Sequence, residues 1–166
     1  MKDTYYATEV HAGDNSWIDS LSVIRLKRLV KSFEPMFKTV PEGYRFGTVA
    51  VRDGNFGFVT TSRGKKELGA VVKVASVDHS RNIVHILSDE AKATLNAPLL
   101  SYIFDKLPQC SVIIHYHEKM AGLQTLPYAP PGTCRDSKRN IRGSFNIEGH
   151  GCFCLFDFNM NAIHWE

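Results

Sequence analysis

Two histidines one residue apart, His115 and His117, stand near the end of the run Ser111-Val112-Ile113-Ile114-His115-Tyr116-His117-Glu118. In an extended strand alternate side chains share a face, so the two rings project from one side, about 6–7 Å apart. Imidazoles placed in this way can chelate one divalent ion. Taken alone, the pair reads equally well as one buried, hydrogen-bonded ring beside one solvated ring. A third ring shifts that balance: His150, set between Gly149 and Gly151 at the head of another apolar run. Three imidazoles with one position left open form a catalytic zinc-type site, whereas structural sites close all four positions.

The elements that must carry these rings can be read from periodicity. Leu21, Ile24, Leu26, Leu29, Val30 and Phe33 recur at helical spacing opposite Lys27, Arg28 and Lys31. They predict an amphipathic helix over 20–37, capped by Asp19 or Ser20 and ended or kinked by Pro35. Strands are expected over 46–52 and 56–61, joined by an Asp53-Gly54-Asn55 turn, and over 71–77 and 83–87. Asn96-Ala97-Pro98-Leu99 opens a second helix that leads into the His-x-His strand. The rigid run 126–133, rich in proline, and a helical turn or two carry the chain on to the His150 strand. His79, in a turn, and His85, among apolar neighbours, have no partner at ligand spacing and read as satisfied or solvated. Cys152 and Cys154 share one face of their strand and read as core thiols.

Composition narrows the function classes. The chain has 166 residues, 43% hydrophobic and 22% charged, with a net charge of +3. That size supports one domain over residues 1–166 with a core of its own, residues 1–18 forming an irregular lead-in. A charge so small and dispersed argues against nucleic acid, and the densest basic run, 138–142, reads as a solvated segment. No apolar run approaches the about 18 residues needed to span a bilayer, and the N-terminus lacks a secretory pattern. Four cysteines in a chain this long are not a disulfide framework, so a cytoplasmic setting is expected.

In this order the parts resemble the class II aldolase/adducin family, of the fuculose-phosphate aldolase and ribulose-phosphate epimerase kind. The resemblance covers about residues 20–157 and makes the chain a short, divergent member. It is carried by Gly47-Thr48-Val49-Ala50-Val51-Arg52, by Phe58-Val59-Thr60-Thr61-Ser62-Arg63-Gly64-Lys65, by Asn96-Ala97-Pro98-Leu99, by His115-Tyr116-His117, by the 126–133 connector and by His150-Gly151. It implies an α/β fold of α/β/α layers, with a mixed, largely antiparallel central sheet flanked by helices. It implies Zn2+ or another divalent ion on His115, His117 and His150. It further implies a lyase or epimerase reaction on a small phosphorylated or carboxylated substrate through a metal-stabilised enediolate. The substrate's anionic group would meet Gly47, Thr48, Arg63, Gly64 and Lys65, and a homo-oligomer is expected.

The departures from that pattern carry equal weight. The family's acid/base glutamate falls on Asn96, whose amide cannot take or give a proton near neutral pH. Glu90 becomes the base under a shifted alignment, and Glu118 is a third candidate, pointing away from the ligands if its strand stays regular. Thr48, Arg63 and Leu95 replace members of the phosphate cradle. Two functions follow: a metal-dependent aldolase or epimerase, or a non-catalytic, adducin-like binding and assembly domain that keeps its metal site.

Overall fold

The structure, a computed structural model, describes residues 3–12, 15–37, 47–54, 57–63, 70–88 and 92–165. The chain opens with a correction to the expected irregular lead-in. Residues Ala7–His11 form strand β1, paired in parallel with β5 (Ile83–Leu87). All five β1 residues are exposed, so no apolar alternation announces the strand; the ladder to β5 sets it in the sheet. After a 3-10 turn (Ser16–Asp19), helix α1 (Leu21–Phe33) is capped by the Ser20 side chain, which accepts from the Val23 N–H. A cap of this kind is worth about 1 kcal/mol. Helix α1 stops at Phe33 and tightens into a 3-10 turn (Glu34–Met36) around Pro35, which has no N–H to continue an α-helical ladder.

Strands β2 (Thr48–Arg52) and β3 (Phe58–Thr61) form a hairpin closed by the Asp53 N–H on the Gly57 carbonyl. Strand β4 (Val71–Asp78) and β5 extend it. Then come helix α2 (Ala97–Lys106) and strand β6 (Val112–Tyr116). Strand β7 (Gln124–Leu126), the one-turn helix α3 (Cys134–Ser137), β8 (Phe145–Ile147) and β9 (Gly151–Phe156) complete the order. The nine strands make one sheet, β1-β5-β4-β3-β2-β6-β9-β8-β7. Its pairs are antiparallel except β1–β5 and β7–β8, at the two edges.

Each face of the sheet has its own core. Val23, Leu26 and Val30 of α1 pack on Val49, Val51, Val59, Val112, Ile114, Tyr116, Cys152 and Cys154. The other face meets Leu99, Leu100, Ile103 and Phe104 of α2 through Phe58, Val72, Ile86, Ile113, Phe153 and Leu155. At about 1.5–3 kcal/mol for each large apolar side chain fully buried, these faces position the sheet between its helices. Period-2 alternation along β6 therefore turns Val112, Ile114 and Tyr116 towards α1, and Ile113 and His115 towards α2. The architecture is the expected α/β arrangement with a mixed, largely antiparallel sheet. Among the described residues no helix is long and apolar enough to cross a membrane.

Candidate metal centre

His115 is fully buried in the middle of the sheet, on the α2 face. Its ladder partner across β9 is Phe153, and the two rings stack at 4.0 Å and 13°. Phe145 stacks behind Phe153 at 5.1 Å. The His115 Nδ1–H donates to the Cys152 carbonyl at 2.8 Å, which fixes the ring and leaves Nε2 as its lone-pair nitrogen. That Nε2 is buried and has no hydrogen-bond partner.

His117 does not share the strand, which ends at Tyr116. It lies on the exposed bend beyond. His150 comes from the turn before β9, its N–H bonded to the Ile147 carbonyl. Gly151 makes the juxtaposition possible. It takes φ +115°, and a Cβ there would lie 2.1 Å from the Tyr116 carbonyl and 2.7 Å from the His117 Cα. Only glycine lets β9 start flush against the end of β6. The three rings then converge, with centroids 4.7 Å apart for His115–His150, 4.9 Å for His115–His117 and 5.4 Å for His117–His150. One ligand atom from each lies within 4.8 Å of the others.

The electrostatics suit a cation as well. Burial first, then the neighbouring His150, pushes the His115 ring well below its usual pKa; the bond to the Cys152 carbonyl only partly offsets this. Burial, then His117 and Arg139, lowers His150 to about 4. Both rings are thus neutral at pH 7, the form that donates a lone pair to a metal. The Nδ1 of His150 is a second buried nitrogen without a partner. Buried polar atoms are nearly always satisfied, so two such orphans on two rings of one cluster fit a divalent ion of the zinc type.

No family model matches the sequence, and none of the curated proteins matches it. Solved structures do resemble it. YgbL of Escherichia coli, a candidate aldolase/epimerase/decarboxylase, is 16% identical over 80% of this chain and 77% of its own, with a TM-score of 0.59. YgbL of Klebsiella pneumoniae is 15% identical over 81% and 77%, with a TM-score of 0.54. An L-fuculose 1-phosphate aldolase is 14% identical over 86% of this chain and 76% of its own, with a TM-score of 0.52. Identities this low speak for architecture.

The fold is class II aldolase-like.

Within this aldolase-like fold, Thr48 on β2 is the ladder partner of His115, so the two side chains share a face. The Thr48 hydroxyl lies 3.4 Å from that of Thr94, and Thr94 accepts the Asn96 N–H at 3.2 Å. This buried chain links Thr48, across the ladder from His115, to the start of α2. Asn96 is the N-cap residue there, 6% exposed, and its Oδ1 has no partner. Glu118 sits on the exposed bend directly after His117. Gly47, at φ +139°, abuts the Phe37 ring, which occupies the space a side chain would need. Arg63 is exposed, with its N–H on the Lys92 carbonyl. Gly64, Lys65 and Glu90 lie outside the described residues.

Several participants escaped the sequence reading. Thr94 gave a faint signal, being a hydroxyl residue just ahead of a helix start. Phe153 is on the face opposite the Cys152 and Cys154 thiols, as alternation demands, yet nothing marked it as the surface under a histidine. The basic run 138–142 is not wholly solvated. Arg139 is tucked in, pairing with the buried Asp136 at 3.0 Å and donating to the Pro127 carbonyl at 2.7 Å, which ties the connector to α3. His79 and His85 also have partners. The Tyr6 hydroxyl bonds His79 at 2.7 Å, and His85 meets His11 and Glu9 of β1. Those partners are distant in sequence, where spacing cannot show them.

Proposed function

We propose that the chain is a divalent-metal-dependent lyase or epimerase of the aldolase type, acting on a small phosphorylated or carboxylated carbonyl compound. The observation that carries this reading is the pair of buried, unpartnered ring nitrogens, His115 Nε2 and His150 Nδ1, in a cluster completed by His117. These three residues would hold the ion, zinc being the best match to an all-imidazole set. When bound, such an ion supplies Lewis-acid stabilisation of negative charge developing on a substrate oxygen, worth several kcal/mol.

The chain's own groups then divide the remaining work. The ring stack beneath His115 and its bond to the Cys152 carbonyl hold the ring in one orientation. Asn96 offers an unpartnered amide oxygen, able to accept a hydrogen bond from a substrate hydroxyl but unable to carry a proton. Proton transfer is therefore assigned to a carboxylate. Glu118, one residue beyond His117, and Glu90 are the candidates, and a pH–rate profile that loses one limb in E118Q or E90Q identifies which. Arg63, Gly64 and Lys65, with Gly47 and Thr48, are the proposed anion contacts.

The test is metal analysis of purified protein followed by a screen for aldol cleavage and epimerisation of sugar phosphates. The expected result is one ion held by the three histidines, lost in His115→Ala, with turnover that a chelator stops and zinc restores. An ion lost in His115→Ala without any metal-dependent turnover would favour the binding and assembly reading, to which Asn96 also points. Metal content unchanged by His115→Ala would end both.

A further inference from the structure

A second group of ligand-type side chains lies far from the first in the sheet, at its β1 edge. Glu9 and His11 alternate on β1 and so share a face. His85 on β5 is the ladder partner of Glu9, which brings it to that same face. Its neighbours Val84 and Ile86 point into the α2 core, so His85 points the other way. On that side α1 lies over β2 and β3. The cluster stays open to solvent, the side chains of Glu9, His11 and His85 being 53%, 50% and 26% exposed.

The spacing is what distinguishes it from an ordinary surface group. His11 Nε2 and His85 Nδ1 share a hydrogen bond at 2.9 Å, whose proton a bound ion would displace; Glu9 Oε2 is 3.5 Å from His85 Nδ1 and 3.9 Å from His11 Nε2. Zinc–ligand bonds of about 2.0–2.2 Å in a tetrahedron put its ligand atoms about 3.3 Å apart, a value these three separations bracket. The carboxylate is too far from either ring for a strong hydrogen bond, yet close to both. The strand that supplies two of the ligands buries no side chain of its own.

We infer that Glu9, His11 and His85 form a second divalent-cation site, of the zinc type, that clamps edge strand β1 to β5. Its ligands are two imidazoles and one carboxylate, with the remaining position on the solvent side. The ion closes a loop between residues 74 positions apart, so its effect falls on the docking of β1 and leaves the buried histidine cluster untouched.

The experiment is equilibrium dialysis of tag-free, full-length protein against zinc alone, for wild type, His11→Ala, His85→Ala and His115→Ala. Wild type should bind one ion more than either edge variant, and His115→Ala should keep the edge ion. In hydrogen exchange, zinc should slow the β1 amides at least tenfold in wild type and His115→Ala and leave them unchanged in His11→Ala. His11 is half-exposed, so His11→Ala keeps the test valid if His85→Ala fails to fold. Edge variants that bind as much zinc as wild type, or a wild type that binds none, overturn the inference. Zinc lost from His85→Ala but not from His115→Ala upholds the clamp while overturning the buried centre.

Discussion

At the scale of single residues, the site depends on which polar atoms are left over. Asn96 Oδ1 and the two orphan ring nitrogens are buried without protein partners, and each such atom costs about 1–3 kcal/mol unless something binds it. If Asn96 holds a substrate hydroxyl, Asn96→Ala should lower kcat/KM by about 5–150-fold with metal content unchanged, as steady-state kinetics and metal analysis would record. His115 and His150 were legible as ligand-type residues because their chemistry is written in their identity. The spacing argument for His117 reached a correct neighbour by an incomplete route: the rings meet because the chain bends after Tyr116, beyond the reach of strand alternation. The edge cluster was illegible for a plainer reason, since His11 and His85 are joined only by long-range parallel pairing.

Elements bring these atoms together, and Gly151 is where two of them touch. Gly151→Ala would add a methyl group at a positive φ against the Tyr116 carbonyl. Unfolding should show a loss of about 2–4 kcal/mol, and metal affinity should fall as His150 is pushed off His117. Helices α1 and α2 and strands β2 to β5 followed from their apolar residues, which pack into the two cores. Strands β1, β7 and β8 did not. The first has no buried side chain, and the other two span three residues each, too few for alternation to register.

For the whole molecule, the connector that crosses beside the site is held by a buried ion pair whose two halves are unequally content. Burial raises the Asp136 carboxyl to about 6 despite Arg139. A group whose folded pKa lies above its unfolded value contributes its stability below the ordinary value near 3.8 and loses it as pH rises through about 6. Between about pH 4 and 7 the wild type should therefore lose about 2–3 kcal/mol relative to Asp136→Asn. Denaturant midpoints for the two proteins across that range would show it. The sheet order has a consequence in time as well as space. Strand β9 sits between β6 and β8, both synthesised before it, so the sheet is continuous from β6 to β8 only once β9 has been made. His150 precedes that strand by one residue, and a metal held by all three rings would act as a latch that closes only on a finished sheet.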